Sequence, residues 1–177
     1  MSSSATVDLW DAIARDAIAE SSLWGDALKP PGERLEDPVF SPLADERFAL
    51  GLETIYEGYL VHYGEPRLFA PPDDDVALLL GDYLYAHGLV HVAGDVEVVG
   101  DLAELISLCS QLRAENAEGD GALWAATAAC LGASRLDGAR AALRLRGDAS
   151  LLDGAARAVR GDDAIERALA AHAGRVR

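Results

Sequence analysis

The stretch that decides the fold of this chain is Leu78-Leu79-Leu80-Gly81-Asp82-Tyr83-Leu84-Tyr85-Ala86, followed by Asp95-Val96-Glu97-Val98-Val99 and Leu102-Ala103-Glu104-Leu105-Ile106. Apolar residues recur in it at three- and four-residue spacing, which is the period of an α-helix. Asp95 stands directly before the second run, where its carboxylate can accept hydrogen bonds from the free amides of a helix start. The stretch therefore predicts two consecutive helices joined by a short turn.

The same helical period continues over nearly the whole chain. It is interrupted at the proline-rich connector 29–38 and at Gly64-Glu65-Pro66, both of which are typical of breaks between helices. Helices are predicted over residues 7–24, 42–63, 73–93, 96–116 and 121–132, followed by a tail of shorter helices. The helix over 73–93 is apolar on more than one face, which predicts a central position. The sequence therefore predicts an all-α helical bundle.

Length and charge predict a single helical domain over residues 1–177. It would comprise an N-terminal helix with the proline-rich connector (1–40), a core bundle (41–133) and an arginine-bearing tail (134–177). The net charge of −15 argues against a nucleic-acid partner, because phosphates require a basic surface. The tail has nine Arg and six Asp or Glu, a balance of +3, so the rest of the chain holds −18. This asymmetry predicts that the tail meets an acidic surface, either on the chain itself or on a partner.

The sequence also predicts a soluble, cytoplasmic protein. Residues 1–10 contain no basic residue and no long apolar core, so they do not form a secretory signal. No apolar run reaches membrane-spanning length, which predicts the absence of a membrane span. Cys109 and Cys130 lie inside apolar helical patterns and are predicted to be buried packing residues rather than a redox pair.

The opening stretch resembles a segment of the all-trans polyprenyl diphosphate synthases. In that family an L-x-G-D-[YF]-L-x-A helix precedes a G-D-x-E-V-V turn and another helix. The resemblance covers residues 43–132 and, more loosely, 151–172, and it implies a reduced isoprenoid-synthase fold. Its other matching segments are Leu60-Val61-His62, Ala122-Leu123-Trp124-Ala125-Ala126 and Asp163-Ala164-Ile165-Glu166.

The resemblance does not extend to the catalytic motifs. His62 matches the histidine that precedes the family's first D-D-x-x-D cluster, but the three aspartate positions then fall on Tyr63, Gly64 and Arg67. The second aspartate motif, F-Q-x-x-D-D-x-x-D, is missing. Magnesium requires oxygen ligands, preferably charged ones, and this arrangement provides none. The resemblance therefore implies a chain without prenyl-transfer activity and without a cofactor.

The resemblance also implies a role in assembly. In the family, the equivalent helices build both the substrate tunnel and the dimer interface. Tyr59 stands one turn before the lost aspartates, where a bulky ring would block a long tunnel. We therefore expect a dimer, homomeric or with a catalytic synthase subunit, that forms through helices within 73–116. The candidate interface residues are Leu80, Tyr83, Leu84, Leu102 and Leu105.

One pair of histidines has a spacing that could bind a metal ion. His87 and His91 are four residues apart on a predicted helix, so their imidazoles share one face and could ligate one ion. No third ligand lies one turn away in the sequence. The spacing therefore favours two partly buried helix histidines over a metal site, and both interpretations stay open.

Two classes of function follow from these observations. The first is a non-catalytic, polyprenyl-synthase-like subunit that pairs with a catalytic prenyl synthase in isoprenoid biosynthesis. The second is a helical accessory or adaptor subunit of an assembly unrelated to isoprenoids. Either would use an apolar helix face for a protein partner. The partner's identity is what distinguishes them.

Overall fold

The fold consists of α-helices, and the longest connection between them, residues 27–48, contains three 3₁₀ turns. The computed structural model describes residues 8–133 and 135–176, and within these ranges the only strand-like pairings are isolated bridges, Leu28 with Phe69 and Gly64 with Val176. The all-α prediction is confirmed. The predicted helix start at residue 7, residue 134 and the outer ends of the predicted domain lie outside the described residues. The helices are α1 Leu9–Glu20, α2 Ser22–Asp26, α3 Ala49–Tyr63, α4 Asp74–His91, α5 Val96–Ala114, α6 Asp120–Cys130, α7 Asp137–Arg146, α8 Ser150–Arg160 and α9 Asp162–Ala173.

Aspartate side chains open α4 and α5, and the sequence predicts this role for Asp95. Asp73 Oδ1 accepts a hydrogen bond from the backbone N–H of Val76 at 2.8 Å, and Asp95 Oδ1 accepts one from Val98 at 3.2 Å. Each carboxylate satisfies an amide that has no partner within its own helix and lies at the positive end of the helix dipole.

The first predicted helix, over 7–24, is divided at Ser21. The extended backbone of Ser21 ends α1, and its hydroxyl oxygen accepts a hydrogen bond from the N–H of Leu23 at 3.1 Å to open α2. Serine can bond its own backbone in this way, and it therefore breaks a helix that the apolar period alone would continue.

The second predicted helix, over 42–63, begins only at Ala49. Two 3₁₀ turns, Ser41–Leu43 and Glu46–Phe48, precede it. Between them Asp45 has an extended backbone, and its side chain accepts a hydrogen bond from the N–H of Arg47 at 3.1 Å. Proline fits the first turn of a 3₁₀ helix as well as that of an α-helix, so the sequence around position 42 does not distinguish the two.

Helix α3 lies at the centre of the fold. Every residue from 51 to 61 is buried, and the helix packs against α1, α4, α5 and both adjacent 3₁₀ turns. The central position predicted for the helix over 73–93 is therefore wrong. Leu78, Leu79 and Val90 of α4 are all more than half exposed, because α4 covers one side of α3 and turns its other face outward.

Glycines allow α3 and α4 to pack closely. Gly51 and Gly58 on α3 face Gly88 and Gly81 on α4, so the two helices run antiparallel. A Cβ atom at Gly51 would lie 2.9 Å from the carbonyl oxygen of Gly88, and one at Gly58 would lie 3.0 Å from that of Gly81. The seven-residue spacing, close to two helical turns, places both glycines of each helix on the same face.

The apolar core has two parts. The larger part is built around Tyr56, Tyr59 and Trp124 and includes residues from α3, α5, α6, α8 and α9. The smaller part joins α1 to α3 and α4 through residues such as Ile13 and Leu80. The cysteines are free and buried, in agreement with their predicted packing role.

Part of the arginine-bearing tail pairs with the acidic body of the same chain. Arg140 of α7 lies 2.9 Å from Asp101 of α5, and Arg144 lies 2.9 Å from Glu104. The charge asymmetry predicts that the tail meets an acidic surface on the chain itself or on a partner. For these two arginines, that surface is α5 of the same chain.

Candidate functional site

The stretch in which the resemblance predicts degenerate aspartate positions, residues 62–67, begins at the C-terminal end of α3. His62 Nε2 lies 3.2 Å from the carbonyl oxygen of Leu78 and 3.6 Å from Asp82 Oδ1, so this ring is held against α4. Gly64 ends α3, and a Cβ atom there would collide with the carbonyl oxygen of Arg175. Adjacent to it, the N–H of Glu65 donates to the same oxygen at 2.7 Å. The end of α3 is thus covered by the C-terminal segment.

Arg67, which the resemblance places at the third aspartate position, is fully buried in an ion-pair network. Its Nη1 lies 2.6 Å from Glu53 Oε2, and its Nε lies 2.9 Å from Glu57 Oε2. The guanidinium carbon also lies 4.6 Å from the ring centroid of Trp10 and 5.0 Å from that of Tyr56. Burial opposes the charge, but the two carboxylates outweigh it and raise the pKa of Arg67. The cation is therefore engaged inside the protein.

The two glutamates of this network also bind backbone amides. Glu57 Oε1 accepts a hydrogen bond from Leu68 at 2.7 Å, and Glu53 Oε1 accepts from Val39 at 3.1 Å and from Ser41 at 2.9 Å. These bonds fasten the segments before and after α3 to the helix. The network is consequently a structural anchor, and the sequence pattern did not indicate it.

A second polar network surrounds Tyr59. The Tyr59 hydroxyl donates to Asp120 Oδ2 and accepts from Arg113 Nη2 at 2.6 Å, and Arg113 Nη2 lies 2.6 Å from Asp120 Oδ2. His172 Nε2 lies 3.2 Å from the same carboxylate oxygen, and His172 Nδ1 lies 2.9 Å from the hydroxyl of Tyr56. The network thus joins α3, α5, α6 and α9.

The ionisation states in this network follow from its contacts. Burial, and then the charge of Asp120, raises the pKa of Tyr59, which keeps the phenol protonated. Burial alone would raise the pKa of Asp120, but hydrogen bonds from His172 and Tyr59 and the charge of Arg113 lower it overall. Asp120 is therefore a carboxylate that is satisfied by its neighbours.

A surface groove of about 700 Å³ lies beside this network. Arg113 lines the groove and bonds Tyr59, so Tyr59 stands directly behind its wall. Asp74 is the one carboxylate among the described lining residues. The groove is lined by Val61, His62, Tyr63, Gly64, Asp74, Ala77, Leu78, Ser110, Arg113, Ala114 and Asn116.

Tyr59, the predicted tunnel-blocking residue, is fully buried. Its ring centroid lies 5.3 Å from that of Tyr63, 5.5 Å from that of Trp124 and 6.1 Å from that of Tyr56. The ring therefore occupies space within a packed aromatic cluster rather than projecting into an open channel.

The two histidines on α4 are brought together with an aspartate of α1. Asp16 Oδ2 lies 3.2 Å from His87 Nε2 and 3.3 Å from His91 Nε2. The sequence indicated the two histidines but no third ligand, because Asp16 lies 71 residues before His87. The packing of α1 against α4 in the smaller core brings it within reach. We find no sequence signal that could have identified it.

The predicted interface residues are mostly interior. Leu80, Leu84, Leu102 and Leu105 are buried in the chain's own core, so they do not lie on the surface of this fold. Tyr83 is partly exposed and stacks on Trp24 with a centroid distance of 5.8 Å. The exposed large apolar residues of this region are instead Leu78, Leu79, Val90 and Val96.

Comparisons with known proteins give no relative for this chain: no family model, curated protein or solved structure matches it. Among the described residues, no helix has both the length and the apolar character that crossing a membrane would require.

Proposed function

We propose that this chain is a non-catalytic, polyprenyl-synthase-like helical subunit that acts through contact with another protein chain. The observation that carries the proposal is the position of Tyr59. Its ring is buried behind the groove, and its hydroxyl is held by Arg113 and Asp120. A growing prenyl chain would need an open tunnel at this depth, and packed aromatic side chains occupy the space.

The residues at the end of α3 support the absence of prenyl transfer. Departure of a diphosphate requires magnesium or free cations that stabilise the leaving group. Tyr63 and Gly64 stand at two of the aspartate positions, and Arg67 at the third is paired with Glu53 and Glu57. A single groove carboxylate, Asp74, is too few for a magnesium cluster of that kind.

The first prediction concerns this absence of activity. Incubation of the purified chain with isopentenyl and farnesyl diphosphates and magnesium is expected to give no longer prenyl product, because the described lining of the groove offers one carboxylate, too few to hold a magnesium cluster at the leaving diphosphate. Thin-layer chromatography of radiolabelled products measures this, with an active polyprenyl synthase as the positive control. A longer product that disappears when EDTA is added would contradict the proposal.

The outer face of α4 supports the part of the proposal that concerns a partner. Leu79 and Val90 are 55% and 64% exposed and lie eleven positions apart on the helix, so the face is roughly 16 Å long. Leu78 lies beside Leu79 at the edge of the groove, and Val96 at the start of α5 is also exposed. Exposed apolar residues arranged along one helix suit a helix of a second chain.

The second prediction is that the chain forms a dimer through this face. We expect multi-angle light scattering to give twice the monomer mass of 18.7 kDa, with at least about 1,000 Å² buried in total. The substitution Leu79→Glu should shift the mass to that of a monomer, because a carboxylate would be buried at the contact. Leu145→Glu is the matched control, since Leu145 is 76% exposed on α7, and it should leave the mass unchanged.

The identity of the partner tests the isoprenoid part of the proposal. Immobilised wild-type chain and the Leu79→Glu variant are exposed to an extract of the native source, and captured proteins are identified by mass spectrometry. Capture of a catalytic prenyl synthase by the wild type alone supports the proposal. Capture of subunits of another assembly supports an adaptor instead. A monomer that captures neither would remove the basis for both functions.

A further inference from the structure

Asp16, His87 and His91 present three ligand atoms to one point between α1 and α4. These atoms, Asp16 Oδ2 and the two Nε2 atoms, all lie within 4.8 Å of one another. The distances from Oδ2 to the two nitrogens are 3.2 and 3.3 Å. Donors around a tetrahedral zinc ion, with bonds of about 2.0–2.1 Å, stand roughly 3.3 Å apart. The two measured distances already match that spacing.

The orientation of the rings fits two ligands to one ion. The rings of His87 and His91 are nearly perpendicular, at 82°, with centroids 4.6 Å apart. Tyr83 stacks on His87 at a centroid distance of 5.2 Å, and Trp24 stacks on Tyr83 in turn. This stack restrains the orientation of the His87 ring.

Within the described part of the chain, the buried Nε2 atom of His91 has no hydrogen bond. It lies 3.3 Å from Asp16 Oδ2 without the geometry of a hydrogen bond. A buried imidazole nitrogen that faces a carboxylate without a hydrogen bond is a suitable position for a metal cation between them.

We propose that Asp16, His87 and His91 bind one divalent transition-metal ion of the zinc type, which joins α1 to α4. Two imidazoles and one carboxylate are the ligands of a borderline cation rather than of magnesium or calcium. No fourth His, Cys, Asp or Glu belongs to the cluster within the described part of the chain, so a water molecule completes the coordination. The three side chains are 20–26% exposed, which leaves a path for the ion to enter.

The experiment uses untagged, full-length protein that has been dialysed against a chelator. Zn²⁺ is titrated by calorimetry, and Co²⁺ is titrated while its visible absorption is recorded. We expect one ion per chain, a Co²⁺ spectrum of four-coordinate intensity, and a higher Tm with Zn²⁺. Asp16→Asn and His91→Ala should each raise the Kd at least about tenfold, because removal of a direct ligand exceeds the effect of removing its supporting neighbours.

The matched control is Asp11→Asn, which makes the same substitution on an exposed position of α1. It should bind as the wild type does. Asn at position 16 keeps the size of the side chain, so the variant is expected to fold, and circular dichroism checks this before the titration. The proposal is overturned if the wild type binds less than one Zn²⁺ per chain at millimolar concentration. It is equally overturned if Asp16→Asn and His91→Ala both retain the wild-type Kd.

Discussion

Replacement of Arg67 by methionine is expected to lower the free energy of unfolding by about 3–5 kcal/mol. Methionine keeps an apolar chain between Trp10 and Tyr56 but removes the guanidinium that pairs with Glu53 and Glu57. Both carboxylates have no exposed surface. Each would then remain charged and unpaired inside the protein or be forced to bind a proton, and either outcome destabilises the folded state.

Urea unfolding followed by circular dichroism measures this loss. Arg135→Met is the matched control, because the Arg135 side chain is 87% exposed and forms a surface ion pair with Asp137. This substitution should change the free energy of unfolding by no more than about 0.5 kcal/mol. A third variant combines Arg67→Met with Glu53→Gln and Glu57→Gln and should recover part of the loss, because no charge remains at these three positions. A loss below about 1 kcal/mol for Arg67→Met alone would show that the network does not hold the core.

The Arg67 network links stability to the proposed loss of activity. An aspartate at position 67 would add a third buried carboxylate to those of Glu53 and Glu57, with no cation among them. The proposed function would thus place a charge that this fold requires at a position that the resembling enzymes use for magnesium. On the proposed function, one substitution could not restore a metal ligand here without destabilising the segments that Glu53 and Glu57 anchor.

Helix positions were predictable where the signals were local. Asp73 and Asp95 each precede an apolar run with helical spacing, and both cap the helices that follow. The relative burial of the helices was not predictable in the same way. Apolar residues such as Leu78 and Leu79 led to the prediction that α4 is central. The buried helix is instead α3, which contains Glu53 and Glu57. Its glutamates are buried because Arg67, ten and fourteen residues away, neutralises them.

The candidate sites were also predictable only where their residues lie close together in the sequence. The spacing of His87 and His91 is visible within one helix, but their aspartate comes from α1 through packing of the smaller core. The Tyr59 network combines side chains of four helices, including Asp120 and His172. No local period encodes such a combination, because each residue alone is typical of an ordinary helix surface or core.

Replacement of Gly88 by alanine is expected to lower the free energy of unfolding by about 2 kcal/mol. The new Cβ would lie 2.8 Å from the carbonyl oxygen of Gly51 and closer still to Ile55 Cγ1. The first of these atoms is backbone, so α3 and α4 must move apart along their whole contact. Alanine gains roughly 1 kcal/mol of helix propensity over glycine. The expected loss of about 2 kcal/mol in the free energy of unfolding is the overpacking penalty minus this gain in helix propensity.

The matched control for this position is Gly100→Ala in α5. A Cβ atom there meets nothing within 4 Å, and the position is exposed, so only the propensity gain of up to about 1 kcal/mol applies. The two substitutions are chemically identical and both lie within helices, so their opposite signs would isolate the effect of close packing. Equal, positive changes in urea unfolding would mean that α3 and α4 have room for a methyl group. The glycine pairs would then not be what sets the distance between the two helices.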